Sequence, residues 1–90
     1  MSESKFPLGS VVITRNAADA LHPEDVKHRL ARHAIGDWGD LGEADQQSNE
    51  IALAQNLRLF SAYDDRTGSR FWIITEADRS ATTVLLPDDY

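Results

Sequence analysis

Arg70-Phe-Trp-Ile-Ile-Thr-Glu-Ala-Asp-Arg-Ser-Ala-Thr-Thr-Val-Leu-Leu-Pro-Asp-Asp-Tyr90 is the stretch that decides the fold. Two runs rich in β-branched and aromatic residues flank a polar link, Glu76-Ala77-Asp78-Arg79-Ser80, which is the pattern of two strands joined by a turn. Phe71-Trp72-Ile73-Ile74 is apolar at every position. Neighbouring strand side chains point to opposite faces, so this strand is expected at the centre of a sheet with both faces covered. Helices would cover one face, and the N-terminal arm or a second subunit the other. The last strand, Thr82 to Leu86, is closed by Pro87, which has no amide to give a ladder.

Working upstream, Leu57-Arg-Leu-Phe-Ser-Ala-Tyr63 reads as the preceding strand. Asp64-Asp-Arg-Thr-Gly-Ser69 is then a hairpin loop, with Gly68 in the left-handed conformation such loops require. A helix is predicted from about Glu43 to Gln55. Ala44, Ser48, Ile51 and Gln55 share one face of it, so its apolar stripe is thin and the helix half exposed. Asp37-Trp-Gly-Asp-Leu-Gly42 is a loop that Trp38 and Leu41 can plug into the core. A firmer helix spans roughly 23–35. Pro23 suits its first position, Glu24 and Asp25 complement its dipole, and Val26, Leu30, His33 and Ala34 form its apolar face. Gly36 is its natural stop. Asn16 is the expected cap of a short turn, Ala17 to Leu21. Ser10-Val-Val-Ile-Thr14 gives a first strand, and residues 1–8 form a flexible arm that Phe6 and Leu8 can anchor. The fold class is therefore α+β. A small antiparallel sheet, a three-strand C-terminal meander with the N-terminal strand added at one edge, packs against two to three helices in a single domain over residues 9–90.

With 90 residues the chain holds one core. Hydrophobic residues make up 41% and charged residues 27%, which separates it from disordered sequences. There is no cysteine, hence no disulfide and no thiolate site. No apolar run is long enough for a membrane span and no signal core is visible, so a cytoplasmic protein is expected. Fifteen acidic residues against nine basic ones give a net charge of −6. Such a surface is repelled by duplex nucleic acid unless a local basic face overrides it. It serves solubility, or it docks on a basic partner.

Three segments, Phe6-Pro-Leu-Gly9, His33-Ala-Ile-Gly-Asp-Trp-Gly-Asp-Leu41 and Trp72-Ile-Ile-Thr-Glu-Ala-Asp-Arg-Ser80 with Thr82-Thr-Val-Leu-Leu-Pro87, carry a family resemblance. Arg58-Leu-Phe-Ser-Ala-Tyr63 fits it too. Over nearly its whole length the chain resembles a family of small bacterial plasmid and mobile-element proteins. Members are labelled plasmid-related proteins or, in some cases, type I restriction subunit M. A methyltransferase subunit needs a much longer nucleotide-binding domain and a glycine-rich cofactor loop, so that label does not describe chemistry this chain could perform. What the resemblance implies is a setting of plasmids and islands that contend with restriction and CRISPR defence.

Four constellations compete for a function. Asp37, Asp40, Glu43, Asp45 and Glu50 are five acids without an intervening base. They could bind a metal, cap the helix that follows, or dock on a basic protein with Trp38 as a hydrophobic anchor; their spacing does not match a calcium loop. Lys27, Arg29 and Arg32, within the basic helix 27–33, could contact nucleic acid. Glu76, Asp78, Arg79 and Ser80 hold an acid, an anion clamp and a hydroxyl in one turn, or a turn that caps its own backbone. His22, His28 and His33 are too irregularly spaced for a zinc site, and His33 falls on the apolar helix face as a core histidine. The expectation is a non-enzymatic protein-binding accessory protein, an anti-CRISPR or antirestriction inhibitor docking Asp37, Trp38, Asp40, Glu43 and Asp45 on a host protein, with no cofactor and no metal. A DNA-associated regulatory factor and a small enzyme of the 76–80 turn stand as alternatives. The doubly apolar central strand points further to a homodimer.

Overall fold

The computed structural model describes residues 4–90; residues 1–3 of the expected arm lie outside the described part. In chain order the elements are β1 (Ser10–Ile13), α1 (Arg15–Ala20), α2 (Pro23–Ala34), α3 (Glu43–Gln55), β2 (Leu59–Asp64), β3 (Arg70–Thr75), β4 (Ala81–Leu85) and a short 3-10 turn, Pro87–Asp89. One four-stranded sheet, ordered β1-β4-β3-β2, packs with the helices as an α+β domain. The meander β2-β3-β4 is antiparallel as expected, and β1 lies at the edge. However, β1 runs parallel to β4, so the sheet is mixed rather than antiparallel. The cause is the connection. The chain leaves β1, crosses the helical layer through three helices, and re-enters the sheet at β2 in the same direction. Two hairpin reversals then bring β4 back into that direction.

Strand alternation separates two faces. Leu59, Ser61 and Tyr63, then Phe71, Ile73 and Thr75, then Thr82 and Val84 point toward the helices. Ala17, Leu21 and Val26 close over Tyr63, Phe71, Ile73 and Val84 in one core cluster, flanked by Leu30. A second cluster joins Phe6, Trp38, Ala52 and Leu59. The Phe6 ring stands edge-on to His33 at 5.3 Å and stacks on Trp38 at 6.3 Å. The arm therefore thickens the helical side and does not cover the opposite face. That face carries Phe60, Trp72, Ile74, Thr83 and Leu85. Trp72 meets Phe60 at 5.1 Å and the C-terminal Tyr90 at 5.8 Å, both edge-on, so aromatic neighbours cover β3 there in place of a second layer.

Two carboxylates fasten the β2–β3 hairpin to the start of α2. Asp25 accepts a fork of two bonds from the Arg66 guanidinium, each 3.0 Å, and a third from the Arg66 amide. The buried Asp65 accepts from the amides of Thr67, Ser69 and His22 and from the Thr67 hydroxyl. These bonds hold the Asp65 carboxyl at about 2, below its usual range, the Thr67 hydroxyl being the largest cause. Gly68 is left-handed at φ +85°, as the hairpin loop demands. At α1 the expected cap is displaced. Thr14, not Asn16, caps the helix by accepting from the Ala17 amide, and Asn16 lies inside it, bonded to Asp89. A threonine two residues earlier lets the helix begin directly at the end of β1.

Helix α3 has the predicted bounds but buries the other side. Asn49 and Ala52 face inward, while Ile51 is 54% exposed and Ala44, Ser48 and Gln55 face solvent. A hydrogen-bonding demand outweighs the thin apolar stripe: β2 is an edge strand, and its outward peptide groups need partners. Asn49 supplies them, donating to the Phe60 carbonyl at 2.6 Å and accepting from the Phe60 amide at 3.0 Å. Asn49→Ala removes both bonds and is expected to cost about 2 kcal/mol. Ile51→Ala should cost under about 0.5 kcal/mol, as for an exposed position. Urea unfolding midpoints of the two variants check the assignment, and a larger loss for Ile51→Ala would reverse it.

Candidate functional site

The acidic segment is built from the loop after α2 and the first turn of α3. Asp37 is neutralised by Arg32, whose Nε and second guanidinium nitrogen donate at 2.8 and 3.2 Å. That fork, with the Gly39 amide, holds the Asp37 carboxyl below its ordinary range. Asp40 accepts from Arg70 at 2.6 Å, and Arg70 also pairs with Asp64. Glu43 and Asp45 are exposed and make no ion pair among the described residues. Trp38 is 4% exposed, held between Phe6 and His33, and its indole N–H donates to Glu50 at 2.7 Å. As folded it is a core plug and not a surface anchor. The close pass of Gly39 over β2 explains the arrangement. Gly39 is left-handed at φ +75°, and a Cβ there would lie 2.1 Å from the Ala62 carbonyl.

In the 76–80 turn the side chains serve the backbone. Arg79, itself left-handed at φ +61°, donates to the carbonyls of Leu57, Glu76, Ala77 and Ala52, and so caps the C-terminal end of α3. Its guanidinium also lies 5.6 Å from the Phe6 ring centroid. Asp78 accepts from the Ser80 amide, and Glu76 pairs with Arg58 on the surface. The four residues of the alternative enzymatic reading thus share a turn without converging on a common point. The basic helix is spent similarly. Arg32 holds Asp37 and sits over the Tyr63 ring at 5.0 Å, while Arg29 reaches the Asp64 carbonyl. Among the described residues Lys27, alone of that trio, makes no such contact, and it is exposed.

The most organised polar cluster lies in the core. His33, fully buried, bonds through Nδ1 to the Ser61 hydroxyl and through Nε2 to the Thr75 hydroxyl at 2.9 Å. Thr75 continues to Thr82 at 2.8 Å, and Thr82 donates to the Leu8 carbonyl at 2.7 Å. That last acceptor fixes the direction of every proton. The Leu8 carbonyl can only accept, so Thr82 donates to it and accepts from Thr75, and Thr75 accepts from His33 Nε2–H. Nδ1 is then the free lone pair, and Ser61 donates to it. The proton direction is the one a nucleophilic serine has toward its base, but Ser61 is itself fully buried and out of reach of a substrate. The sequence marks His33 as a core histidine but not its partners. Their signal is present as hydroxyl residues at the inward positions of three neighbouring strands.

Among the described residues no group of three or more His, Asp or Glu is placed to hold a metal ion, and no helix is long and apolar enough to cross a membrane. An apolar groove of about 270 Å³ lies beside Ile13, lined by Ala18, Leu21, Pro23 and Val26. Comparison with family models, curated proteins and solved structures finds no match to this chain.

Burial, with the Arg79 charge second, pulls the His33 imidazole down from 6.5 to about 4. The folded state thus binds fewer protons than the unfolded chain between these values. Its stabilisation is complete above pH 6.5 and is lost as pH falls toward 4, by on the order of 3 kcal/mol. The carboxylates of Asp37 and Asp65 are lowered from 3.8 and lose their contribution in a more acidic window. Urea titrations from pH 7 to 4 should show this fall in the wild type and a flatter profile in His33→Leu. Equal slopes would remove His33 as the cause.

Proposed function

We propose that this chain is a non-enzymatic protein-binding accessory protein of mobile elements, an antirestriction or anti-CRISPR inhibitor that docks an acidic surface on a basic partner. The observation that carries the reading is the solvent face of α3. Ala44, Ile51 and Ala54 are turned outward, Ile51 is more than half exposed, and Glu43 and Asp45, without an ion pair among the described residues, stand at the start of the helix. Such a surface offers a partner a small apolar contact beside concentrated negative charge. Asp37 and Asp40 lie on the adjoining loop with their charge already balanced by Arg32 and Arg70, which suits them to the rim. Trp38 acts from below, fixing the loop from which the helix starts.

A binding role is supported by how the reactive groups are used. Ser61 and His33 are sealed in the core, Arg79 is committed to backbone carbonyls, and Asp78 to its own turn. The host-defence setting rests on the family resemblance of the segments around Trp38 and Trp72. A DNA-binding role through Lys27, Arg29 and Arg32 gains less support, because two of the three are engaged within the fold.

The test uses the immobilised chain against purified restriction and CRISPR effector complexes. One complex should be retained and released as salt rises, since the contact is charge-driven. The double reversal Glu43→Lys with Asp45→Lys should weaken that retention at least tenfold, about 1.4 kcal/mol, with the melting temperature within about 2 °C of wild type. Retention of none of the complexes, or equal retention of the reversed variant, overturns the reading.

A further inference from the structure

The two edges of the sheet are finished differently. On β2 five outward backbone groups are occupied. Phe60 is bonded by Asn49, the Ala62 amide and carbonyl by the Trp38 carbonyl and the Asp40 amide, and the Asp64 carbonyl by Arg29. On β1 the amides of Ser10 and Thr14 donate to the Ser80 and Val84 carbonyls of the neighbouring strand, each at 3.0 Å. The parallel register makes Val12 the residue between them that also faces β4. Val11 and Ile13 therefore turn their amides and carbonyls outward, at the end of the sheet order, where no further strand follows among the described residues.

Exposed edges are ordinarily blunted by charge, proline or a bulge. The strand β1 has none of these: its register with β4 is unbroken, and no residue from Phe6 to Thr14 is charged. Its side chains are apolar on both faces of the sheet, with Val11, Val12 and Ile13 exposed at 48%, 49% and 43%. The groove beside Ile13 adjoins the same edge on the helical side.

We propose that β1 pairs antiparallel with β1 of a second copy of this chain, about a two-fold axis at Val12, to form one continuous sheet. The self-pairing is complete in hydrogen bonds. With Val12 opposite Val12, Val11 of each copy faces Ile13 of the other, and these are the residues with outward amides and carbonyls, so each donor meets an acceptor. Val11 of the second copy then lies beside Ile13 on the helical face, at the mouth of the apolar groove. The neutral stretch keeps like charges of a −6 chain out of the contact. The contact is one short strand and a groove, at the small end of specific interfaces, so the dimer forms weakly and reversibly. It lies on the opposite edge from β2 and α3 and does not depend on what α3 binds.

Sedimentation equilibrium over rising protein concentration tests this, together with amide hydrogen exchange. The mass should rise from 10.0 kDa toward twice that value and no further. On association the Val11 and Ile13 amides should become protected, while that of Val12, already in the ladder, changes little. Val11→Pro removes an outward donor without touching the bonds to β4, and Val11→Lys puts a charge on the edge. Each should weaken association at least tenfold with an unchanged circular dichroism spectrum. If Val11→Pro fails to fold, Val11→Lys decides alone. A wild type that stays monomeric, assembly beyond a dimer, or a dimer that persists in Val11→Lys overturns the proposal.

Discussion

A single buried imidazole holds the layers of this domain together. His33 is the fully buried polar side chain of α2, and its two nitrogens bind hydroxyls from β2 and β3. The chain of hydroxyls then runs through β4 to the backbone of the N-terminal arm. A polar group buried without partners costs more than a made hydrogen bond returns, so the network tolerates few alternative registers. Shifting any strand by one residue would turn Ser61, Thr75 or Thr82 to the opposite face and strand the imidazole. Apolar packing supplies most of the driving force, but this network selects the arrangement it is spent on.

The same economy of polar groups governs the periphery. Asn49, Arg79, Asp65 and Asp25 each serve several peptide or side-chain donors and acceptors at once. A 90-residue chain has little apolar area to bury, and long loops cross its surface. Multidentate side chains close those loops where a larger protein would add another layer. One consequence is functional. Residues that look reactive in sequence are occupied, and the acid-flanked outer face of α3 and the neutral edge of β1 are among the surfaces left open.

Much of the fold was legible along the chain. The apolar run at Phe71–Ile74, the glycine of the hairpin, the proline opening α2 and the α3 boundaries each follow from local conformational preference and are found as expected. The candidate site was less legible. Asp37, Asp40, Glu43 and Asp45 are close in sequence, yet among the described residues the fold pairs only Asp37 and Asp40, through Arg32 and Arg70 from other elements. Trp38 fits both a core plug and an anchor by composition; Phe6 and His33, distant in sequence, decide between them.

By itself the sequence determined where strands and helices form, that the last three strands make a meander, and that His33 belongs in the core. Periodicity and turn chemistry are properties of a few neighbouring residues and survive without tertiary context. The tertiary structure alone decided that β1 runs parallel to β4, that α3 turns Asn49 and not Ile51 inward, and that Arg79 caps a helix. Each of these depends on which backbone groups would otherwise be left unbonded, and that is set by the neighbours an element acquires only on folding.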